Sequence, residues 1–360
     1  MPISVSDQRV NEVSKTIIDT WSAPSYVFGA VRQEEANGRE AFSVSSFASF
    51  TQGTIASVSG QNATAADLQI SINESPSFAI NYDPIKADQN LGGNYVQELG
   101  RSAAGQMLGA IESDILEYLA FESPATGSAY TFNTSAVTLT SALVRSAISK
   151  LRSRKGIGPY SECLMAVDSY ALGTMKTLVG FNSFVPPQAE GNLGLPVVAS
   201  WDSIPLVESQ YVPGASNNRR SMTPTAVSTT GSGASGVTTF TFASAHGLLA
   251  GMPISSSGLA INASGTNTVA SVGSATSFVV NACSGNAAQQ ADPSGVRVQP
   301  HFATNIIMSK PHVVFAPSIV AQVKVVGQTT SVGDILQVYS LYGRGAWEGF
   351  VVRLLSPYEA

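Results

Sequence analysis

ADQNLGGNYVQELGRSAAGQMLGAIESDILEYLAFE, the stretch from Ala87 to Glu122, decides the fold. Leu91, Tyr95, Leu99, Ala103, Met107, Ile111, Ile115 and Leu119 recur at every fourth residue, which draws one apolar stripe along a helix. Asp88 caps its start, and Pro124 with Gly127 ends it. At the usual rise the rod is about 50 Å long, the width of a whole domain. No small domain covers such a rod by itself. Ala103, Ala104, Gly105, Gly109 and Ala110 lie on its back. Each glycine costs a helix about 1 kcal/mol relative to alanine, so small residues there predict close packing against another backbone.

Upstream, Val10, Val13, Ile17 and Trp21 mark a short amphipathic helix, and Ala23 to Arg39, broken by Pro24, Gly29 and Gly38, reads as an extended arm. Phe42, Val44, Phe47 and Phe50 lead toward a turn at Gly60-Gln-Asn62. Leu68, Ile70, Ile72, Phe78, Ile80 and Tyr82 return from it. A two-stranded ribbon of this length needs something to lie on, and a neighbouring subunit would serve. Downstream, Leu143, Ala147, Ile148 and Leu151 place a second helix in Ser141 to Arg154, closed by Gly156. A strand over Glu162 to Asp168, a helix through Tyr170, Met175 and Leu178, and strands Leu195 to Trp201 and Ile204 to Glu208 follow. After Pro213 the composition turns to Ser, Thr, Gly, Ala and Asn, with short β runs at Thr238 to Phe242, Thr268 to Val272 and Ser277 to Val280. This reads as an inserted small β domain. Ile306 to Phe315, Ala321 to Val326 and Phe350 to Leu355 are strand-like, with Leu336 to Tyr342 between them, and the last strands rejoin the sheet begun before the insertion.

The 360 residues allow two domains, or one elongated body with an insertion. Only 12% are charged, with Lys+Arg 19 against Asp+Glu 24. That is half the share of about 25% usual in soluble domains. Polar uncharged residues take the place of charge, and no apolar run approaches the roughly 20 residues of a membrane span. Interface centres are depleted of Lys, Glu and Asp, so a low-charge chain predicts a surface that meets other proteins. A net charge of −5 gives no footprint for tight nucleic-acid binding, while it permits a wall that nucleic acid lies against. Cys163 and Cys283 are too far apart for a dithiol or zinc motif and read as buried thiols. No signal peptide is visible in Met1 to Trp21. The triplets at Asn62, Asn73, Asn133 and Asn262 fit the glycosylation pattern by chance in so Ser/Thr-rich a chain.

Signatures of catalysis are absent. Gly231-Ser-Gly233-Ala-Ser-Gly236 matches the dinucleotide fingerprint in letters, but it lies in a Ser/Thr/Gly tract and leads into a strand instead of opening a helix. Glu112, Asp114 and Glu117 sit near one another on the rod without a histidine, which reads as a solvated or intersubunit face in preference to acid-base or metal chemistry. His246, His301 and His312 form no ligand pair, and His246-Gly247 reads as a turn. No nucleophile elbow or phosphate loop occurs. The one basic cluster, Lys150, Arg152, Arg154 and Lys155, ends the second helix, where the macrodipole favours cations by a few tenths of a kcal/mol. No catalytic residue, metal site or cofactor is predicted.

This order of elements resembles the major capsid proteins of tailed bacteriophages, the Hong Kong phage type of fold shared with encapsulin shells. The resemblance rests on Ala23 to Arg39 as arm, Glu40 to Tyr82 as extended loop and Ala87 to Glu122 as spine helix. Gly158-Pro-Tyr160 with Leu164 to Val167 resembles the passage into the family's axial domain, and Gly194 to Trp201 with Ile204-Pro205 its next strand and turn. Tyr342-Gly343 to Leu355 resembles its closing strand. His246 to Ile254, Asn267 to Val272 and Thr276 to Val280 resemble a small β-barrel repeat of phage structural proteins and ubiquitin-activating enzymes.

The resemblance implies an α+β fold divided as follows: 1–39 N-terminal helix and arm, 40–85 extended loop, 86–140 peripheral domain with the spine helix, 141–212 first part of the axial domain, 213–300 inserted β domain, and 301–360 axial completion and closing strand. It implies self-assembly into pentamers and hexamers of an icosahedral head around double-stranded DNA, which is touched weakly and without sequence preference. Scaffolding, portal and cement proteins are the further partners, no membrane is involved, and the chain's place is the virion, assembled in the host cytoplasm. Phe47, Phe50, Arg101, Glu112, Glu117, Arg152 and Arg154 are the expected intersubunit contacts. The competing readings are an encapsulin-like compartment and a secreted or tail-associated β-rich adhesin.

Overall fold

The computed structural model describes residues 27–36, 38–47, 65–82, 94–123, 127–153, 162–183, 197–214, 220–230, 236–257, 265–281, 293–327 and 334–357. The expected N-terminal helix, the Gly60-Gln-Asn62 turn, Phe50, Asp88, Leu91, Arg154, Lys155 and Cys283 lie outside them. The chain divides into two compact units, Met1–Asp114 with Gly191–Leu195 and Pro311–Gly345, and Ile115–Glu190 with Pro196–Lys310 and Ala346–Ala360. The architecture is mixed α+β.

In the first unit, β1 (Arg32–Gln33), β2 (Ala41–Phe47), β3 (Ala65–Glu74) and β4 (Ser77–Tyr82) join two long strands, β17 (Val313–Gly327) and β18 (Asp334–Ala346). The sheet order is β1-β17-β18-β3-β2, and β4 also pairs with β18. The expected ribbon is present as β2 and β3, antiparallel from Ala41↔Ser71 to Phe47↔Ala65. Its returning arm is shorter than expected. Pro76 ends the run, and Phe78, Ile80 and Tyr82 belong to β4, which pairs with β18 from Asp334↔Tyr82 to Tyr339↔Ser77. A proline has no N–H to give a ladder, so the strand breaks there, and β18 runs along both pieces, Tyr342 opposite Glu74 before the break and Tyr339 opposite Ser77 after it. Likewise Ile306 to Phe315 is not one strand: β16 (Ala303–Ser309) stops at a 3₁₀ turn over Lys310–His312, at Pro311, and β17 runs unbroken through the expected gap.

The long helix α1 is α-helical over Asn94–Glu117, and its last turn, Tyr118–Glu122, widens to a π-helix closed by Ser123 N–H on Tyr118 O at 2.8 Å. The expected stripe is buried at Ala103, Met107, Ile111, Ile115 and Leu119, and Ala104, Leu108, Leu116 and Ala120 widen it. Within the first unit, the rings of Phe28, Phe315 and Tyr342 lie in series, tilted to one another, with centroids 5.2 and 5.3 Å apart.

The second unit is built on a seven-stranded sheet of β5 (Thr131–Phe132), β6 (Cys163–Val167), β7 (Phe181–Asn182), β8 (Val197–Trp201), β9 (Ile204–Glu208), β16 and β19 (Val351–Ser356), in the order β5-β19-β16-β6-β9-β8-β7. Helices α2 (Ser141–Arg152) and α3 (Ser169–Met175) cover it. Thr140 and Asp168 cap them by accepting from Leu143 N–H and Tyr170 N–H. Val144, Ile148, Leu151, Leu172 and Met175 pack on Met165, Val167, Trp201, Leu206 and Val352. β6 is buried at every residue, Cys163 included, as a central strand covered on both faces is. β8 and β9 turn at Asp202 and Ser203, both with positive φ, the mirror-image geometry that suits a two-residue hairpin.

Between β9 and β16 the chain builds a separate six-stranded sheet, β10 (Ala226–Thr230), β11 (Val237–Thr241), β12 (Pro253–Ser257), β13 (Gly265–Ser274), β14 (Ser277–Val280) and β15 (Arg297–Pro300), ordered β10-β11-β14-β13-β12-β15. A bridge between Met222 and Val298 joins its edges into a small barrel around Phe240, Ile254, Val269 and Phe278. Its two ends meet: Thr304 N–H donates to Pro213 O at 2.8 Å, and a Cβ on Gly214 (φ +92) would fall 1.8 Å from Phe302 O. Only glycine fits that crossing.

Candidate functional site

Two surfaces of the first unit offer contacts. β2 is the outermost strand of its sheet, with no strand beyond it among the described residues. Val44 and Ile70 are buried on one face of the ribbon, with Phe42, Leu68 and Ile72 half-buried beside them, whereas Ser43, Ser45, Asp67 and Gln69 stand exposed on the other. Ser45 donates to Asp67 at 2.6 Å and Gln69 to Ser43, so the outer face is a neutral ladder of hydroxyl and amide groups with one acid. On α1, Glu98, Arg101, Ser102 and Gln106 are exposed and share one face by their spacing. Gly105 lies between them, and a Cβ there would meet nothing within 4 Å. The small-residue back of the helix is therefore filled by its own chain at Ala103 and Ala104 but open at Gly105.

The three acids of the helix do not form a solvated face. Glu112 is 2% exposed, and its two carboxylate oxygens accept from the backbone N–H groups of Val27 and Phe28 at 3.1 and 3.2 Å. The carboxylate thereby holds the arm of its own chain at a 3₁₀ turn, Val27–Gly29. Asp114 accepts from Tyr342 Oη at 2.7 Å and pairs with Arg344, which also reaches Glu74 at 3.4 Å. Glu117 pairs with Arg220 at 3.0 Å. Burial raises the Glu117 carboxyl above its ordinary range, Arg220 opposes the rise and Glu122 adds to it.

Arg152, expected at an intersubunit contact, donates to Asp202 O at 3.0 Å, and Arg145 stands 3.8 Å from the Asp202 carboxylate. Lys150 lies over the Tyr130 ring at 5.2 Å. The described part of the basic cluster thus braces the β8–β9 turn and a neighbouring ring. Phe47 ends β2. No group of three His, Cys, Asp or Glu side chains placed to hold a metal ion occurs among the described residues. Among the described residues no helix is long and apolar enough to cross a membrane.

Sequence reasoning missed the arginines that organise the second unit. Arg353, fully buried on β19, donates through Nε and Nη2 to Thr131 Oγ1 at 3.0 and 2.6 Å. Its Nη1 donates to Ala120 O at 2.6 Å and Gly247 O at 3.3 Å. Burial draws its pKa down to about 9, which still leaves it charged at neutral pH. The one signal in the sequence is a cation inside an apolar strand, Val351-Val-Arg-Leu-Leu355. Arg220 is the second: its guanidinium lies 4.7 Å over the Phe121 ring and donates to Ala245 O and His246 O.

No family model matches the chain, and no curated protein matches it in sequence. Solved structures do. The capsid of Ralstonia phage GP4 aligns with a TM-score of 0.52 at 7% identity, over 92% of this chain and 88% of that one. The head structure of Helicobacter pylori bacteriophage KHP40 aligns with a TM-score of 0.51 at 12% identity, over 94% and 91%. The chain therefore has the fold of phage capsid proteins, with a β-hairpin ribbon ahead of the long helix.

Proposed function

We propose that this chain is a major capsid protein, which self-assembles into pentamers and hexamers of an icosahedral phage head enclosing double-stranded DNA. The observation that carries the reading is a fold likeness to phage capsids over more than nine-tenths of the chain. The edge of β2, unpaired among the described residues, and the exposed face of α1 support it, since each leaves a surface open to a second copy. In a closed lattice each modest contact is repeated by symmetry, which makes the whole cooperative.

In this reading Phe47, Phe50 and Arg101 meet neighbouring copies directly, Arg154 lies at the same kind of contact, and Glu117 and Arg152 shape the surfaces presented. Glu112 acts within its own protomer. The role is structural and not enzymatic, the place is the virion, and scaffolding, portal and cement proteins are the further partners. A net charge of −5 suits a wall that does not grip its DNA. Electron microscopy of the purified full-length chain tests the proposal. Uniform shells or capsomer rings support it; a monomer that persists at high concentration, with scaffold supplied, refutes it.

A further inference from the structure

One loop of the small barrel, Ser244 to Leu249, carries its contacts with the π-turn that ends the long helix. His246 in that loop is 2% exposed. Its Nδ1 accepts from Leu248 N–H at 3.0 Å, so the ring proton sits on Nε2, which donates to Ser274 O at 3.2 Å. Both nitrogens are satisfied only in the neutral ring. Phe242 and Phe278 flank it at 6.0 and 5.2 Å between centroids.

The loop's backbone makes the joint. Ala245 O and His246 O accept from Arg220, which pairs with Glu117, and Gly247 O accepts from Arg353. Gly247, with φ +66, lies so close that a Cβ would fall 2.6 Å from Phe121 O. The ionisable groups around the joint are Arg220 from the segment before β10, Glu117, Tyr118 and Glu122 from the helix end, and Arg353 from β19. β11, β13 and β14 bring none.

We propose that this joint is an acid-released latch, in which protonation of His246 frees the Ser244 to Leu249 loop from the end of the long helix. A second proton puts an N–H at Nδ1 against the Leu248 N–H and adds a positive charge to a site that already holds Arg220 and Arg353. Burial lowers the ring's pKa from its ordinary value; the carbonyls of Ser277 and Ser274 oppose the shift, and Arg220 reinforces it. The sign follows from linkage. The released loop binds the proton more readily than the held one, so the latch is fully held above about pH 6.5 and loses hold as pH falls from there toward the lowered value. Glu117 acts with the opposite sign, because its raised pKa makes the held form the better proton acceptor, but only at the lower pH where a carboxyl titrates. The latch belongs to the protomer and stands whether or not the chain forms shells.

Hydrogen exchange of the full-length protein, corrected for the intrinsic pH dependence of amide exchange, tests it. Protection of peptides spanning Ser244 to Leu249 and Tyr118 to Glu122 should fall by up to about tenfold per pH unit from about pH 6.5 down to the ring's lowered pKa and level off below it, while Cys163 to Val167 stays protected. In His246→Asn the side-chain oxygen accepts the N–H two residues on without titrating, so the fall should vanish. Flat protection in the wild type, an equal fall in His246→Asn, or simultaneous loss at Cys163 to Val167 would each overturn the proposal. Should the variant not fold, the ring titration of His246 followed by NMR in the wild type decides: a midpoint at or above about 6.5, or one below it with no loss of protection between about pH 6.5 and that midpoint, refutes the latch, and one below it with protection lost over that interval supports it.

Discussion

Arg353 shows how one residue fixes a junction. Its guanidinium replaces water for Thr131, Ala120 and Gly247 at once, groups from three separate segments. Hydrogen bonds to a charged group contribute about 1.5 to 3 kcal/mol each, and a buried carbonyl left without a donor costs about as much again. Arg353→Met, close in volume, should therefore lower the unfolding free energy by about 3 kcal/mol in urea titration, without a change of fold by circular dichroism. Arg353→Lys should recover only part of it, because an ammonium is a point donor and cannot span the fork. A loss below about 0.5 kcal/mol for Arg353→Met would show that the guanidinium is not what holds the junction. Spacing arguments missed this residue for the reason they misread Glu112: they see neighbours along the chain. The donors to Glu112 lie at Val27 and Phe28, a separation of 85 and 84 residues, so an acid on a helix reads as solvated until the arm is placed on it.

The long helix was legible as an element because an apolar residue at every fourth position has no competing explanation over that length, and its burial from Ala103 to Leu119 follows the stripe. Strand pairing was not. Alternation reports which face is buried and not which strand lies alongside, so by sequence Phe78, Ile80 and Tyr82 fall on the ribbon although their partner is β18, more than two hundred and fifty residues on. The glycines of β18 make its neighbouring contact with β3 testable. A Cβ at Gly343 would fall 2.6 Å from Ser71 O, a backbone atom, whereas at Gly345 the nearest atom is Leu68 Cδ2 at 2.8 Å, the end of a flexible side chain. Gly343→Ala should thus cost about 2 to 3 kcal/mol of stability and Gly345→Ala clearly less, read from thermal melts of the two variants side by side. Gly105 points the other way. Nothing among the described residues fills the space around it, so Gly105→Ala should stabilise the free protomer by about 0.5 to 1 kcal/mol. If assembly is impaired in that same variant, the open position is where a second copy's backbone approaches; unimpaired assembly leaves Gly105 outside every intersubunit contact.

On the scale of the molecule, the composition shift after Pro213 coincides with a change of sheet, and the sheet that pauses at β9 resumes with β16 beside β6. The two ends of the intervening segment touch, Pro213 O against Thr304 N–H, so a short linker can join them without stretching the body. Replacing Arg220 to Pro300 by a few Gly and Ser residues should give a soluble, cooperatively folding chain, since the core of α2, α3, β6, β9, β16 and β19 draws no residue from the segment removed. The body does not come away intact, however. Arg353 loses the Gly247 carbonyl, Glu117 loses Arg220, and Phe121 loses the guanidinium over its ring. One charged hydrogen bond and the exposure of one aromatic face together amount to roughly 3 kcal/mol, so the shortened chain should melt several degrees lower. The same logic predicts that Arg353→Met costs less in the shortened chain than in the full one, because one of its partners is already gone, and a double-mutant cycle measures the difference. Equal costs in both backgrounds would show that Arg353 serves the body alone and that the small barrel is tied to it elsewhere; insoluble shortened protein would mean that the barrel completes the main core.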